Sequence, residues 1–258
     1  MLTGLDDLLV IAACMTGALL FLFVLKHFWP IPQRRDHNDI IGWQVSVLGT
    51  TYAVIIGFML YAVWTSFEAA ELNADGEANC LVSVFRLAGG LPTAERGTVR
   101  TLARQYADSV IDVEWPAMNR AQSDSSSQDI TQKLWAAVME VKPQTFAEQT
   151  SMQQALTEIS SMTEHRRIRQ LQNNSKLPGV LWLVLVMGGG ITIMSSCLFG
   201  TENFRLHCVQ VISLTLLLSL ALVAIGDIDR PFQGAVRVTP AGFERARGTF
   251  AQFPAETP

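Results

Sequence analysis

Four stretches of this chain carry no Lys, Arg, Asp or Glu for long enough to cross a lipid bilayer: Leu8–Leu25, Ile40–Phe67, Leu177–Thr201 and Leu206–Gly226. A bilayer core of about 30 Å needs roughly 20 apolar residues as helix, and a backbone inside lipid must satisfy its own hydrogen bonds. Each stretch therefore predicts a spanning α-helix, and a chain with four of them is an integral membrane protein.

The spans also divide the chain. The expected order is a first transmembrane hairpin over 1–67 (spans about 8–28 and 40–67), a soluble helical domain over 68–176, a second hairpin over 177–226 (spans about 177–201 and 206–226), and a C-terminal tail over 227–258. Only Glu202–Arg205 separate the last two spans, so they must form a tight antiparallel pair. The fold class is an all-α membrane protein, two hairpins flanking a soluble helical domain, with that domain, the N-terminus and the tail on one side. Ile11-Ala12-Ala13-Cys14 looks like a lipoprotein cleavage box, but a secretory signal needs a basic segment before a short apolar core. Here Leu5-Asp6-Asp7 precedes the core and the apolar run continues to Leu25, so the first span is expected to stay.

Loop charges point both ways on orientation. By the positive-inside rule, Lys26, Arg34 and Arg35 place the first loop in the cytoplasm and the helical domain outside. Arg166, Arg167, Arg169 and Lys176 before the third span, with Arg230, Arg237 and Arg245 after the fourth, place the domain in the cytoplasm. Cys14, Cys197 and Cys208 lie inside spans and Cys80 is the one cysteine of the domain, so no disulfide within the domain is expected.

The domain is mildly acidic, 14 Asp/Glu against 11 Lys/Arg over residues 68–176, which gives no reason to expect nucleic acid. His27, His37, His165 and His207 are scattered, and no Ser, His and Asp set carries a nucleophile motif. No enzyme, catalytic residue, metal or cofactor is expected.

The second span is the most informative because its faces differ. At about 100° per residue, Gly42, Ser46, Gly49, Thr50, Ala53 and Gly57 share one face, and Gln44, Leu48, Ile55, Phe58 and Ala62 lie roughly opposite. Ile56, Leu60 and Trp64 run along or beside the small face at four-residue spacing. Glu68, Glu71 and Asp75 continue it beyond the membrane, since no proline interrupts Ile40–Leu91. Two readings stay open. Gly49, Ala53 and Gly57 form a small-residue ladder that suits close helix packing, with Gly188-Gly189-Gly190 of the third span as a partner. Alternatively, copies of this helix around an axis present an apolar neck at Ile56, Leu60 and Trp64, followed by carboxylate rings that attract cations.

The run Gly49-Thr50-Thr51-Tyr52-Ala53-Val54-Ile55-Ile56-Gly57-Phe58, followed by Trp64 and Glu68-Ala69-Ala70-Glu71, resembles the second-span signature of the bestrophin-like family of bacterial membrane proteins. Glu114-Trp115-Pro116, Leu177-Pro178-Gly179-Val180-Leu181-Trp182 and Asp229-Arg230-Pro231-Phe232-Gln233-Gly234 are similar to that family's segments in the same order. The resemblance implies the layout of bestrophins: pentameric ion channels with four spans per subunit, a large cytosolic helical domain and a pore-lining second helix with bulky apolar residues at its neck. It carries the neck to Ile56, Leu60 and Trp64, and favours a bacterial cytoplasmic membrane with the helical domain inside. One departure is plain. Eukaryotic bestrophins carry a dense acidic calcium clasp after the fourth span, whereas this chain offers only Asp227 and Asp229 before Arg230, too few oxygens for a calcium gate. Asp227–Gly234 reads instead as a helix stop at Pro231.

In the domain, one helix continues the second span to about Gly89, and a second runs from Pro92-Thr93 to a break at Glu114-Trp115-Pro116. A third covers about Gln128 to Val141, and a fourth, with Pro143 in its first turn, runs through Arg169. Arg100, Arg104, Arg166, Arg167 and Arg169 are expected to partner domain carboxylates or to lie on a solvated face, and Arg169 or Lys176 to pair with the Glu68, Glu71, Asp75 stripe. Trp115 is expected to be a packed aromatic. The function these features favour is an oligomeric, cation-preferring ion channel, a homo-oligomer with the pentamer favoured, whose partners are its own copies, membrane lipid and inorganic ions. The alternative is a non-conducting membrane scaffold or sensor whose helical domain binds a partner.

Overall fold

The computed structural model describes residues 4–122 and 124–253. Among them every regular element is helical: α1 (Gly4–Phe28), α2 (Ile31–Arg35), α3 (Asn38–Leu87) closed by a 3-10 turn (Ala88–Gly90), α4 (Thr93–Ser109), a π-helical segment (Val110–Glu114), α5 (Trp115–Asn119), α6 (Ser126–Met139), α7 (Phe146–Asn174), α8 (Gly179–Cys197), α9 (Phe204–Ile228) and α10 (Ala241–Ala251). Four of these, α1, α3, α8 and α9, are long and apolar enough to cross a membrane. The chain divides into a membrane unit, Met1–Thr65 with Lys176–Asp229, and a helical unit, Ser66–Ser175 with Arg230–Pro258.

In the membrane unit, α1, α8 and α9 pack on one another. Lipid tails are as apolar as leucine, so association in a membrane depends on close packing and interhelical hydrogen bonds. Ala18, Leu22, Cys197 and Val211 form one buried cluster, and Val63, Leu185 and Ile225 form another. Tyr52 supplies the polar contact. Its hydroxyl donates to the Leu185 carbonyl at 2.6 Å, and a Cβ on Gly188 would sit 2.8 Å from its ring, one on Gly189 2.8 Å from its hydroxyl. The glycine run of the third span therefore receives the Tyr52 ring, and the ladder Gly49, Ala53, Gly57 does not pack there.

The two short loops of this unit are tied together. The fully buried Arg34 donates to the Cys197 carbonyl at 3.1 Å, satisfying an end group of α8 that has no partner within the helix. Asn38 exchanges two hydrogen bonds with the Gly200 backbone at 2.9 Å each, and Arg35 pairs with Glu202. Gly200 is required by space: a Cβ would lie 2.5 Å from the Arg35 nitrogen and 2.9 Å from the Arg34 carbonyl carbon. Gly200→Ala is expected to cost about 1–3 kcal/mol through forced backbone movement, read as a lower thermal midpoint of the detergent-purified protein.

In the helical unit, α7 starts at a capping box. Thr145 accepts from the Glu148 backbone, and the Glu148 carboxylate accepts from the Thr145 backbone. That stronger start leaves Pro143 ahead of the helix and not in its first turn. Nor does the chain break at Glu114-Trp115-Pro116: the π segment leads directly into α5, with Pro116 near its start. A π turn widens the coil, which accommodates a residue that lacks an N–H and crowds the preceding turn. The segment set apart as a tail at 227–258 is not separate, because from Arg230 on it belongs to this unit. Its aromatics explain this: Phe250 stacks on Phe85 at 4.4 Å between centroids, and Phe232 meets Trp115 edge-on at 5.7 Å.

Candidate functional site

α3 is a single 50-residue helix whose faces have different surroundings. In the membrane unit, Tyr52, Ile55, Ile56, Met59 and Val63 turn toward α8 and α9, where Ile55, Ile56 and Met59 pack against the Val63, Leu185, Ile225 cluster. Ile56 is thus half-buried in the subunit, whereas Leu60 and Trp64 are 39% and 46% exposed. Ala53 and Gly57 are exposed, and a Cβ added at Gly49 or Gly57 would meet nothing within 4 Å. Within one subunit the small-residue ladder packs on no neighbour among the described residues.

In the helical unit, Glu68 and Glu71 are exposed. Asp75 differs: Arg245 of α10 donates to both of its oxygens at 3.0 Å. Arg169 does not reach this stripe. It is fully buried, and its guanidinium forks onto Glu77 at 2.7 and 2.9 Å and donates to Glu114 at 2.8 Å. Arg166 pairs with the same Glu114 at 2.8 Å and donates to Ser127, whose hydroxyl also hydrogen-bonds Glu114. Tyr106 donates to Glu77 at 2.6 Å. Two carboxylates and two guanidiniums thus cancel in charge, with their hydrogen bonds supplied inside the unit, as burial of ions demands.

Electrostatics follow from this arrangement. Burial alone would lower the Arg169 pKa, but the Glu77 and Glu114 carboxylates hold it above the ordinary value. Burial pushes the Tyr106 phenol up. For Glu114 burial acts upward, yet Arg169, the Ser127 hydroxyl and Arg166 outweigh it and hold the carboxyl below its ordinary 4.5. The folded carboxyl therefore releases its proton more readily than the unfolded one. Its stabilisation is complete above about 4.5 and is lost as the pH falls through the lowered value. A pH series of thermal midpoints should show an acid loss in the wild type, and Glu114→Gln should start lower at neutral pH with a flatter acid limb.

Glu77 and Glu114 are absent from the candidates drawn from sequence. The signal for Glu77 was present: at helical spacing it falls on the face of Ala70, Ala74 and Leu81, all buried, and away from Glu68 and Glu71. Trp115 is a packed aromatic as expected, its indole donating to the Val238 carbonyl at 3.3 Å beneath the Arg169 guanidinium. Arg104 caps the end of α10 through the Phe250 and Phe253 carbonyls instead of pairing with a carboxylate. The expected helix stop after the fourth span is at Ile228, and Asp229 accepts from the Leu177 backbone at 2.9 and 3.2 Å.

Four apolar helices, one of them running on far beyond the length a bilayer needs, define an all-helical membrane protein. The chain belongs to the Bestrophin-like family, whose domain model matches residues 12–243. Among solved structures it is similar to a bacterial bestrophin homolog from Klebsiella pneumoniae, at 10% identity, TM-score 0.69, with 97% of this chain and 99% of that one covered. It is also similar to a crystallised membrane protein at 11% identity, TM-score 0.70, with 94% and 97% covered. At such identities the likeness concerns the fold. No curated protein matches the chain.

Proposed function

We propose that this protein is a homo-oligomeric ion channel of the bacterial cytoplasmic membrane, with α3 lining the pore and the helical unit in the cytoplasm. The observation that carries the reading is the exposed stripe of α3. Ala53, Gly57, Leu60 and Trp64 face out of the subunit at membrane level, on a helix that leads without a break to Glu68 and Glu71. Copies around a cyclic axis cover that stripe, and Leu60 and Trp64 then form the neck, with Ile56 retained in the subunit core. Family membership supports conduction, and the bestrophin resemblance favours five subunits. The first-loop charges lose weight as orientation signals: Arg34 caps α8, Arg35 pairs with Glu202, and Lys26 lies 4.1 Å over the Phe204 ring.

The oligomeric state in detergent tests the reading first. A stable monomer removes it, and a dimer favours a scaffold. Gly57 then separates fold from assembly. Because the position is open within the subunit, Gly57→Leu should leave the subunit fold intact while weakening assembly, overpacking at a helix contact costing about 1–3 kcal/mol. Leu60→Ala and Trp64→Ala should assemble normally and raise ion flux in liposomes. Unchanged flux in both correctly assembled variants excludes them as the constriction.

A further inference from the structure

The antiparallel helices α3 and α7 of the helical unit meet at several points along their length. At one, a Cβ on Gly76 would lie 2.9 Å from the His165 ring, with Asn73 bonded to His165 through both its side chain and its carbonyl. At another, a Cβ on Gly90, in the 3-10 turn that closes α3, would collide with the Ser151 hydroxyl. Midway between these contacts opens a cleft of about 450 Å³, lined by Ser83, Arg86 and Leu87 of α3 and by Gln154, Thr157 and Glu158 of α7.

Each helix presents one turn of side chains at i, i+3 and i+4, the positions that share a face, and five of the six are polar. Arg86, Gln154 and Thr157 are exposed, so the groove opens to solvent. Arg86 and Glu158 oppose each other in charge, yet neither is ion-paired among the described residues. Glu158 has the Cys80 thiol as a hydrogen-bond neighbour one turn away. A guanidinium suits a carboxylate through paired N–H donors, and a carboxylate suits an ammonium. Two hydroxyls and an amide add neutral hydrogen-bonding groups.

We infer that the α3–α7 cleft is a binding site for a small zwitterion of the free amino-acid class, its carboxylate held by Arg86 and its ammonium by Glu158. The site lies on the part of the long helix that belongs to the helical unit, and its occupancy does not depend on whether the protein conducts.

Calorimetric titration of the full-length protein in detergent tests it with glycine and L-serine as probes, against acetate and methylammonium, which carry one charge each. Saturable binding is expected for the two zwitterions and not for the single ions. Arg86→Gln and Glu158→Gln should each weaken glycine binding by about tenfold or more, the usual effect of losing a charge-assisted hydrogen bond. Lys133→Gln, exposed elsewhere on the unit, should leave it unchanged. Ser83→Phe, which fills the cleft, should abolish binding while the thermal midpoint is kept. No saturable binding of either zwitterion overturns the site. So does equal binding of acetate or methylammonium, or wild-type affinity in both charge variants.

Discussion

Arg169→Met is expected to destabilise the helical unit by about 3–5 kcal/mol, the range found when one partner of a buried ion pair is removed. The guanidinium is fully buried and bonds two carboxylates, Glu77 at 0% and Glu114 at 2% side-chain exposure. Without it Glu114 keeps Arg166, and Glu77 keeps the Tyr106 hydroxyl but no cation. For a chain of this size each kcal/mol moves the thermal midpoint by about 2–4 °C, so the expected drop is roughly 6–20 °C. Arg167→Met is the contrast. Its pair with Glu164 is exposed on the helix surface, and such pairs contribute at most about 1 kcal/mol. Replacing Arg169 and Glu77 together by Met and Gln, which leaves the Arg166–Glu114 pair balanced, should recover part of the loss, since the cost arises from uncompensated charge more than from the absent bonds. Equal midpoints for Arg169→Met and Arg167→Met would show that the cluster does not anchor the unit.

The membrane spans were legible because lipid imposes one rule on every residue of a span, and that rule survives without tertiary information. The starts and stops of the helical unit were less so. Pro143 and Pro116 are both signals that a helix begins or ends, but a capping box at Thr145 overrides the first, and a π turn before Trp115 absorbs the second. The partner of Arg169 was misread for a different reason. Proximity along the membrane boundary suggested Glu68, Glu71 and Asp75, whereas burial decided the matter: an arginine on the inner face of α7 meets the carboxylates on the inner faces of α3 and the π segment. Asp75 illustrates the complement. Its partner, Arg245, comes from α10, a helix within the segment that the sequence marks only as a C-terminal tail.

That pairing sharpens the expected charge selectivity. If α3 lines the pore, Glu68 and Glu71 repeat around the axis as carboxylate rings, which concentrate cations and repel anions in a low-dielectric vestibule. Asp75 adds little, because Arg245 neutralises it. Reversal potentials across a potassium chloride gradient should therefore show a cation preference in the wild type, and Glu68→Gln with Glu71→Gln should remove most of it. Asp75→Asn should weaken it, because the Arg245 guanidinium is then left without its carboxylate. Arg245→Gln should strengthen it by releasing the Asp75 carboxylate, a gain that no reading of Asp75 as a purely structural residue foresees. The effects should shrink as salt rises, since exposed charges are screened within about 10 Å at 0.1 M ionic strength. An anion preference in the wild type, or a reversal potential indifferent to the loss of both glutamates, would reject the carboxylate rings while leaving the apolar neck at Leu60 and Trp64 to be judged by flux alone.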